Sequence, residues 1–318
     1  MTENKNNNEE IRVVFRGSYE DTPENKTVTV EEGILEIAEN AFRDFSCLEE
    51  VILPKSLEKI SACAFAGCKN LRRVEMKNGL LEIGDEAFSS CSSLTGINIP
   101  DTVKRIGEGA FEACVALTHL KISESVYMIG SNAFAFCFNL TDVTIPDSCV
   151  LVEFGAFSSC FALEAIKLSA NMGLIDDNTF EGCRSLKIVD LPIRLKKIGR
   201  GAFRGCTSLG SLILPVGTEV IGFDAFSGCT SLSRIALPRG MRELEDLDVF
   251  GGCDSLELIS FGGSEEALKT YLTFVESYTY VLAEKTTPSS MRVLHFYAPT
   301  GNTGSLLLDN ILVTDGEE

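Results

Sequence analysis

The chain has 318 residues, of which 45% are hydrophobic, and a formal net charge of −18. The acidity is diffuse (residues 1–33 carry 4 basic and 8 acidic groups, residues 263–318 carry 3 and 8, the middle 21 and 30), and it argues against nucleic acid, whose binding depends on cationic contacts to phosphate. No apolar run approaches the roughly 18 residues of a membrane span, and the opening "MTENKNNNEE" has neither the basic nor the apolar region of a secretory signal, so on these grounds alone the chain reads as cytoplasmic.

Residues 1–33 read as a polar tail followed by a degenerate capping half-repeat. "IRVVF" (11–15) serves there as a covering strand, Val28, Val30, Ile34 and Ile37 fall on inward columns, and Tyr19 stands 23 residues before Phe42. From residue 34 to 262 the sequence repeats. Phe42, Phe65, Phe88, Phe111, Phe134, Phe157, Phe180 and Phe203 follow one another at 23 residues, as does Phe226, and Phe250 comes after 24. Six residues past each Phe stands a Leu, from Leu48 to Leu256, and three residues past most stands a Cys. Self-similarity at such a period is the mark of stacked-coil architectures.

Within a unit, "VIL", "INI" or "VTI" alternates with the period of a half-buried strand. Pro54, Pro100, Pro146, Pro192, Pro215 and Pro238 end it, where no ladder donor is needed. A further apolar residue follows (Leu57, Val103, Leu195), then Ile-Gly, and a short helical turn is predicted to carry Ala-Phe. One unit cannot bury its own apolar face, so stacking creates the core. Phe45 in place of the first Cys, Thr179 and Val249 in place of Ala, and the extra residue in "ELEDLDVF" are the departures, the last predicting a distorted coil.

Ile-Gly, Ala-Phe, Cys, Leu and a strand ending in Leu-Pro, recurring in that order, resemble the leucine-rich repeats of the BspA-like, or Treponema pallidum, type. The resemblance implies an α/β solenoid, a right-handed superhelix of about ten coils with a parallel sheet on its concave side. It also implies bacterial surface or secreted proteins, some of them adhesins for host matrix proteins.

Nine of the twelve cysteines occupy one column: Cys68, Cys91, Cys114, Cys137, Cys160, Cys183, Cys206, Cys229 and Cys253. Equivalent residues of stacked coils lie about 4.8 Å apart, and parallel Cα–Cβ vectors suit disulfides poorly. The column, with Cys149 on a second inward column, therefore reads as buried free thiols acting as small hydrophobes. Zinc would need clustered ligands, whereas these thiols are 23 residues apart, Cys63 and Cys68 include a column member, and the chain has only His119 and His295. No P-loop, GxSxG or HExxH occurs, and "GRGAFRG" lies on the repeat's own columns rather than between a strand and a long helix. No metal, cofactor or catalytic group is predicted.

Residues eight and ten past each Phe should face outward from the sheet, His119, Lys121, Asp142, Thr144 and Lys167 among them, as a variable, mixed-charge surface for a protein partner. Four past the Phe, mostly polar positions give way to Val115, Phe138 and Phe161 in adjacent coils, with Phe136 next door. Contiguous exposed apolar residues mark interfaces, so these four are the sharpest candidates for partner binding or self-association. Sequons at Asn25 and Asn139 carry no meaning in a bacterial chain.

Residues 263–318 read as a C-terminal cap or small module. A helix is predicted in "SEEALKTYLTFVESYTYVLAEKTTP" and strands in "MRVLHFYAP" and "SLLLDNILV". The leading function is a non-catalytic protein-binding module. The alternative is carbohydrate or cell-envelope binding through this C-terminal segment, using Tyr278, Tyr280 and Tyr297.

Overall fold

Each 23-residue unit changes direction three times, because short apolar alternations are separated by residues that cannot extend a strand. The first alternation forms strands such as Glu50–Ile52, Arg73–Glu75, His119–Lys121 and Asp142–Thr144, whose middle residue points inward. The second forms two-residue strands such as Glu36–Ile37, Lys59–Ile60, Arg105–Ile106 and Met128–Ile129. Both sets pair in parallel, with partners one unit apart (Glu50 with Arg73, Lys59 with Glu82). The result, in a computed structural model, is a parallel solenoid of about ten turns, called here coils one to ten after Phe42 to Phe250. The structure describes residues 14–17, 21–22, 24–238, 240–244, 247–256 and 258–261, with the strand segments 292–296, 306–308 and 311–315.

The third side corrects the α/β description, because Ala-Phe does not sit on a helix. Residues two before and two after each Phe from Phe42 to Phe226 adopt positive φ, for example Asn40 (59°) and Asp44 (60°), or Gly201 (56°) and Gly205 (72°). A left-handed residue every fourth position stops any helix from propagating. The freed N–H groups turn to the next coil instead: Phe42 N donates to Ala64 O at 2.7 Å, and Phe65 N to Ala87 O at 2.8 Å. The described residues contain no α-helix, only a 3-10 turn at Leu247–Phe250. That turn absorbs the extra residue, for Phe250 still stacks on Phe226 at 5.8 Å and 10°.

The core is a column of rings. Neighbouring Phe centroids from Phe42 to Phe157 lie 4.9 to 5.4 Å apart with planes within 9°. Stacking loosens most around Phe180, to 6.0 Å and 16° on one side and 22° on the other, where Thr179 replaces Ala. The Gly of Ile-Gly answers a close approach between coils. A Cβ on Gly107 would stand 2.6 Å from the backbone of coil three, and one on Gly130 would stand 2.7 Å from that of coil four.

The cysteine column is buried, and its thiols do more than fill space. Each Sγ reaches the carbonyl of the preceding coil's Phe: Cys68 to Phe42 at 2.9 Å, Cys91 to Phe65 and Cys114 to Phe88 at 3.2 Å, Cys137 to Phe111 at 3.3 Å. The same carbonyl accepts an N–H from its own turn, as when Cys68 N donates to Phe65 O, so the thiol takes the second lone pair. Ala or Val would fill the volume but leave that acceptor site empty.

At the N-terminal end Val14–Phe15 pairs with Glu36–Ile37, and Phe15 stacks on Phe42 at 5.1 Å. Val28, Val30, Ile34 and Ile37 are buried. Phe45 packs edge-on against Phe42 at 5.5 Å. At the other end Leu258–Phe261 pairs with Arg292–Phe296, which pairs with Ile311–Asp315, itself antiparallel to Leu306–Leu308. Tyr19 and the helix predicted within 264–288 lie outside the described residues.

Burial raises the cysteine pKa values, to about 12 for Cys68, Cys114 and Cys160 and about 11 for Cys149. The folded pKa exceeds the unfolded value of about 9, so above that pH the folded chain keeps protons that the unfolded chain has released. Stability then falls as pH rises, by about 1 kcal/mol per buried thiol within one pH unit above 9. The urea midpoint is expected to drop between pH 8 and pH 10.5, and to drop less with Cys114, Cys137 and Cys160 all changed to Ala. In native protein at pH 8, iodoacetamide should modify only the half-buried Cys47 and Cys63. Thr218 occupies an inward column with its hydroxyl buried and unbonded. Thr218→Val is expected to raise stability by about 1 kcal/mol, read as a higher melting temperature.

Candidate functional site

In several coils the residue four past the Phe is held to the coil before it by a polar contact. Ser92 Oγ donates to Lys69 O at 3.3 Å, Thr207 Oγ1 to Arg184 O at 3.1 Å and Thr230 Oγ1 to Thr207 O at 3.4 Å. In coils four to six that ladder becomes apolar. Val115, Phe138 and Phe161 are half-buried, and the two rings stack at 4.7 Å with planes 4° apart. Phe136 meets Phe138 edge-on at 6.3 Å and 89°. The Arg184 guanidinium lies 4.8 Å over Phe161 and closes the row with a cation–π contact. Phe136, Phe138 and Phe161 thus form one connected aromatic group, with Val115 on the adjoining coil and with Arg184 as a member that sequence reading missed.

Phe136 is its outermost ring, 41% exposed. It is also the residue with the most unusual backbone, because two positions past the Phe the φ is positive, here 60°. Other coils place Gly67, Gly182, Gly205, Gly228 and Gly252 there, or the small Asp44, Ser90, Ala113 and Ser159. For a bulky side chain that conformation is strained.

His119, Lys121, Asp142, Thr144 and Lys167 all stand exposed on the strand face, in register with their neighbours (His119 with Gly96, Thr144 with Lys167). Among the described residues no hydrogen bond or ion pair joins this group to the aromatic row, although both occupy coils four to six. Asn139 is used locally, its Nδ2 donating to Val115 O at 2.8 Å. Among the described residues no group of three or more His, Cys, Asp or Glu is placed to hold a metal ion, and no helix is long and apolar enough to cross a membrane. Tyr278, Tyr280 and Tyr297 lie outside the described residues.

Two further apolar surfaces emerge that sequence reading did not single out. Ile193, Ile213 and Val216 are 75 to 82% exposed and line a shallow depression of about 570 Å³ beside Asp190, with the exposed Ile188 on the same pair of coils. The signal was present 13 residues past the Phe, where Lys55, Asn78, Asp101, Glu124 and Asp147 give way to Ile193 and Val216. The other surface lies outside the two-residue strands, at Tyr127, Val150, Leu151 and Phe154.

A family model described as BspA type leucine rich repeat region matches residues 35–164 and 150–279. Among solved structures, the Treponema pallidum leucine rich repeat protein is 32% identical, with 58% of this chain and 78% of that one covered and a TM-score of 0.44. A leucine-rich repeat protein from Bacteroides ovatus is 21% identical over 93% of this chain and 98% of that one, with a TM-score of 0.46. A leucine rich cell surface protein from Faecalibacterium prausnitzii is 22% identical over 77% and 90%, with a TM-score of 0.42. No curated protein matches the chain.

Proposed function

The chain belongs to the BspA-type leucine-rich-repeat family, and on that footing we propose that it is a non-catalytic module that binds a protein partner. The partner seats on the aromatic row Phe136, Phe138 and Phe161 with Val115, and the exposed His119, Lys121, Asp142, Thr144 and Lys167 select it. From the family resemblance we extend this to a bacterial surface or secreted setting of the adhesion type.

The observation that carries the reading is Phe136. Its column otherwise holds glycine or small residues, as its left-handed backbone favours, yet here it holds the bulkiest side chain and leaves it in solvent. Folding gains little from such a residue, because the backbone strain of about 1–2 kcal/mol offsets its edge contact with Phe138. Recognition gains a rigid aromatic anchor, of the kind that dominates interface energetics.

The two roles separate experimentally. Phe136→Gly suits the backbone and is expected to keep stability within about 1 kcal/mol of wild type, read from the melting temperature, while Phe138→Ser with Phe161→Ser removes the stacked pair. Both variants should retain the fold by circular dichroism and lose the proteins that the wild-type chain captures from a lysate. Equal capture by a folded Phe136→Gly variant would overturn the reading.

A further inference from the structure

The outer side of the two-residue strands carries a separate pattern. Seven and six residues before each Phe stand two consecutive outward side chains, and a third outward residue follows three before the Phe. Arg105, six before Phe111, bonds Asp85, three before Phe88, at 2.9 Å, so these rows form one continuous face. Charge is arranged unevenly along it. Coil three presents Leu81 with the acidic Glu82 and Asp85, and coil eight presents Lys196, Lys197 and Arg200, all basic. Between them, coils five and six present Tyr127, Val150, Leu151 and Phe154, of which Tyr127, Val150 and Phe154 are 44 to 56% exposed. The acidic and basic coils lie five coils apart, and their midpoint falls between coils five and six, at the apolar centre.

A surface that is apolar in the middle and oppositely charged at equal distances on either side is complementary to itself after a half-turn. We propose that this face pairs with the same face of a second copy of the chain. The two solenoids run antiparallel about a two-fold axis that lies in the interface between coils five and six. Tyr127 of one copy then meets Val150 of the other. Coil three meets coil eight, with Glu82 opposite Lys197 and Asp85 opposite Arg200 in matching rows. Coil four meets coil seven, which brings Arg105 opposite Leu174 and beside Asp177, with Glu108 facing the same Asp177.

The parallel arrangement is disfavoured by charge. It would set coil three on coil three and coil eight on coil eight, stacking carboxylates on carboxylates and lysines on lysines. The favourable charge contacts are those of coil three with coil eight, since coils four and seven set Glu108 against Asp177 and coils two and nine bring Glu58 opposite Glu219. Bonds within the chain already hold several of these charges in place: Glu82 to Arg105 at 3.0 Å and to Lys59 at 3.9 Å, and Lys196 to Glu219 at 3.0 Å. Held in this way, they lose little freedom on association. The net charge of −18 on each copy opposes approach at low salt, so the pairing belongs to about 0.15 M salt, where charges are screened beyond about 8 Å.

The test is sedimentation equilibrium of the full chain in 0.15 M salt, with circular dichroism to confirm folding. Wild type should populate a concentration-dependent dimer, and Val150→Asp should weaken it about tenfold or more. Glu82→Lys with Asp85→Lys, and separately Lys197→Glu with Arg200→Glu, should each abolish self-association. An equimolar mixture of those two variants should dimerise, because both charge contacts are then complementary. Should a swapped variant fail to fold, carbodiimide coupling of mixed light and heavy wild-type chains reads the same contact, with Glu82 joined to Lys197 between copies. A wild-type chain that stays monomeric overturns the proposal, as does a dimer indifferent to the swaps, a mixture that does not associate, or coupling confined within one chain.

Discussion

Everything in this molecule depends on one coincidence of length: the spacing of hydrogen-bonded parallel strands is also a comfortable stacking distance for phenyl rings. Strands pair about 4.8 Å apart, and the Phe centroids from coil one to coil five stand 4.9 to 5.3 Å apart. One translation therefore satisfies backbone and core together. The 23-residue period is the chain length that returns to the starting corner after that translation, which is why the interval is held so strictly. Where it slips to 24, the excess is confined to a 3-10 turn and the rings remain stacked.

The same translation explains the monotony of the inward columns and the freedom of the outward ones. An inward residue meets its own equivalent above and below, so its size is fixed by a neighbour of the same kind. Gly107 and Gly130 show the limit, for the adjacent backbone leaves no room even for a methyl group. The cysteines combine smallness with a donor that reaches the Phe carbonyl across the seam, a double fit that Ala and Val lack. Outward residues meet solvent, and the scaffold tolerates Ile213 and Val216 as readily as Lys121.

Much of the fold was legible in the sequence, because a repeat states the same constraint ten times. The strands, the buried Phe, Leu and Cys columns and the inward Val28 and Ile34 follow from periodicity alone. The Ala-Phe turn did not. A short helical turn is the expectation because Ala and Phe are compatible with one, but the deciding residues lie two positions away, at Asn40, Gly201 and Gly205, whose positive φ breaks it. The aromatic row was visible as a break in a polar column, whereas Arg184 over Phe161 depends on how a long side chain bends. The faces at Tyr127 and Ile193 were missed for another reason. Single apolar residues on a polar column look accidental until folding aligns those of successive coils.

The positive φ at Phe136 and the thiol contacts across the seams have one property in common: each belongs to a single step of the stack and is blind to the number of steps. Loss or duplication of one whole unit would leave every remaining seam chemically unchanged. It would, however, alter by a full notch the separation between the acidic third coil and the basic eighth, and between the aromatic row and either end. Shape in this chain is therefore counted rather than measured. Recombination between repeats is a mutation to which the core is nearly indifferent, and one that the surface registers in increments of one strand.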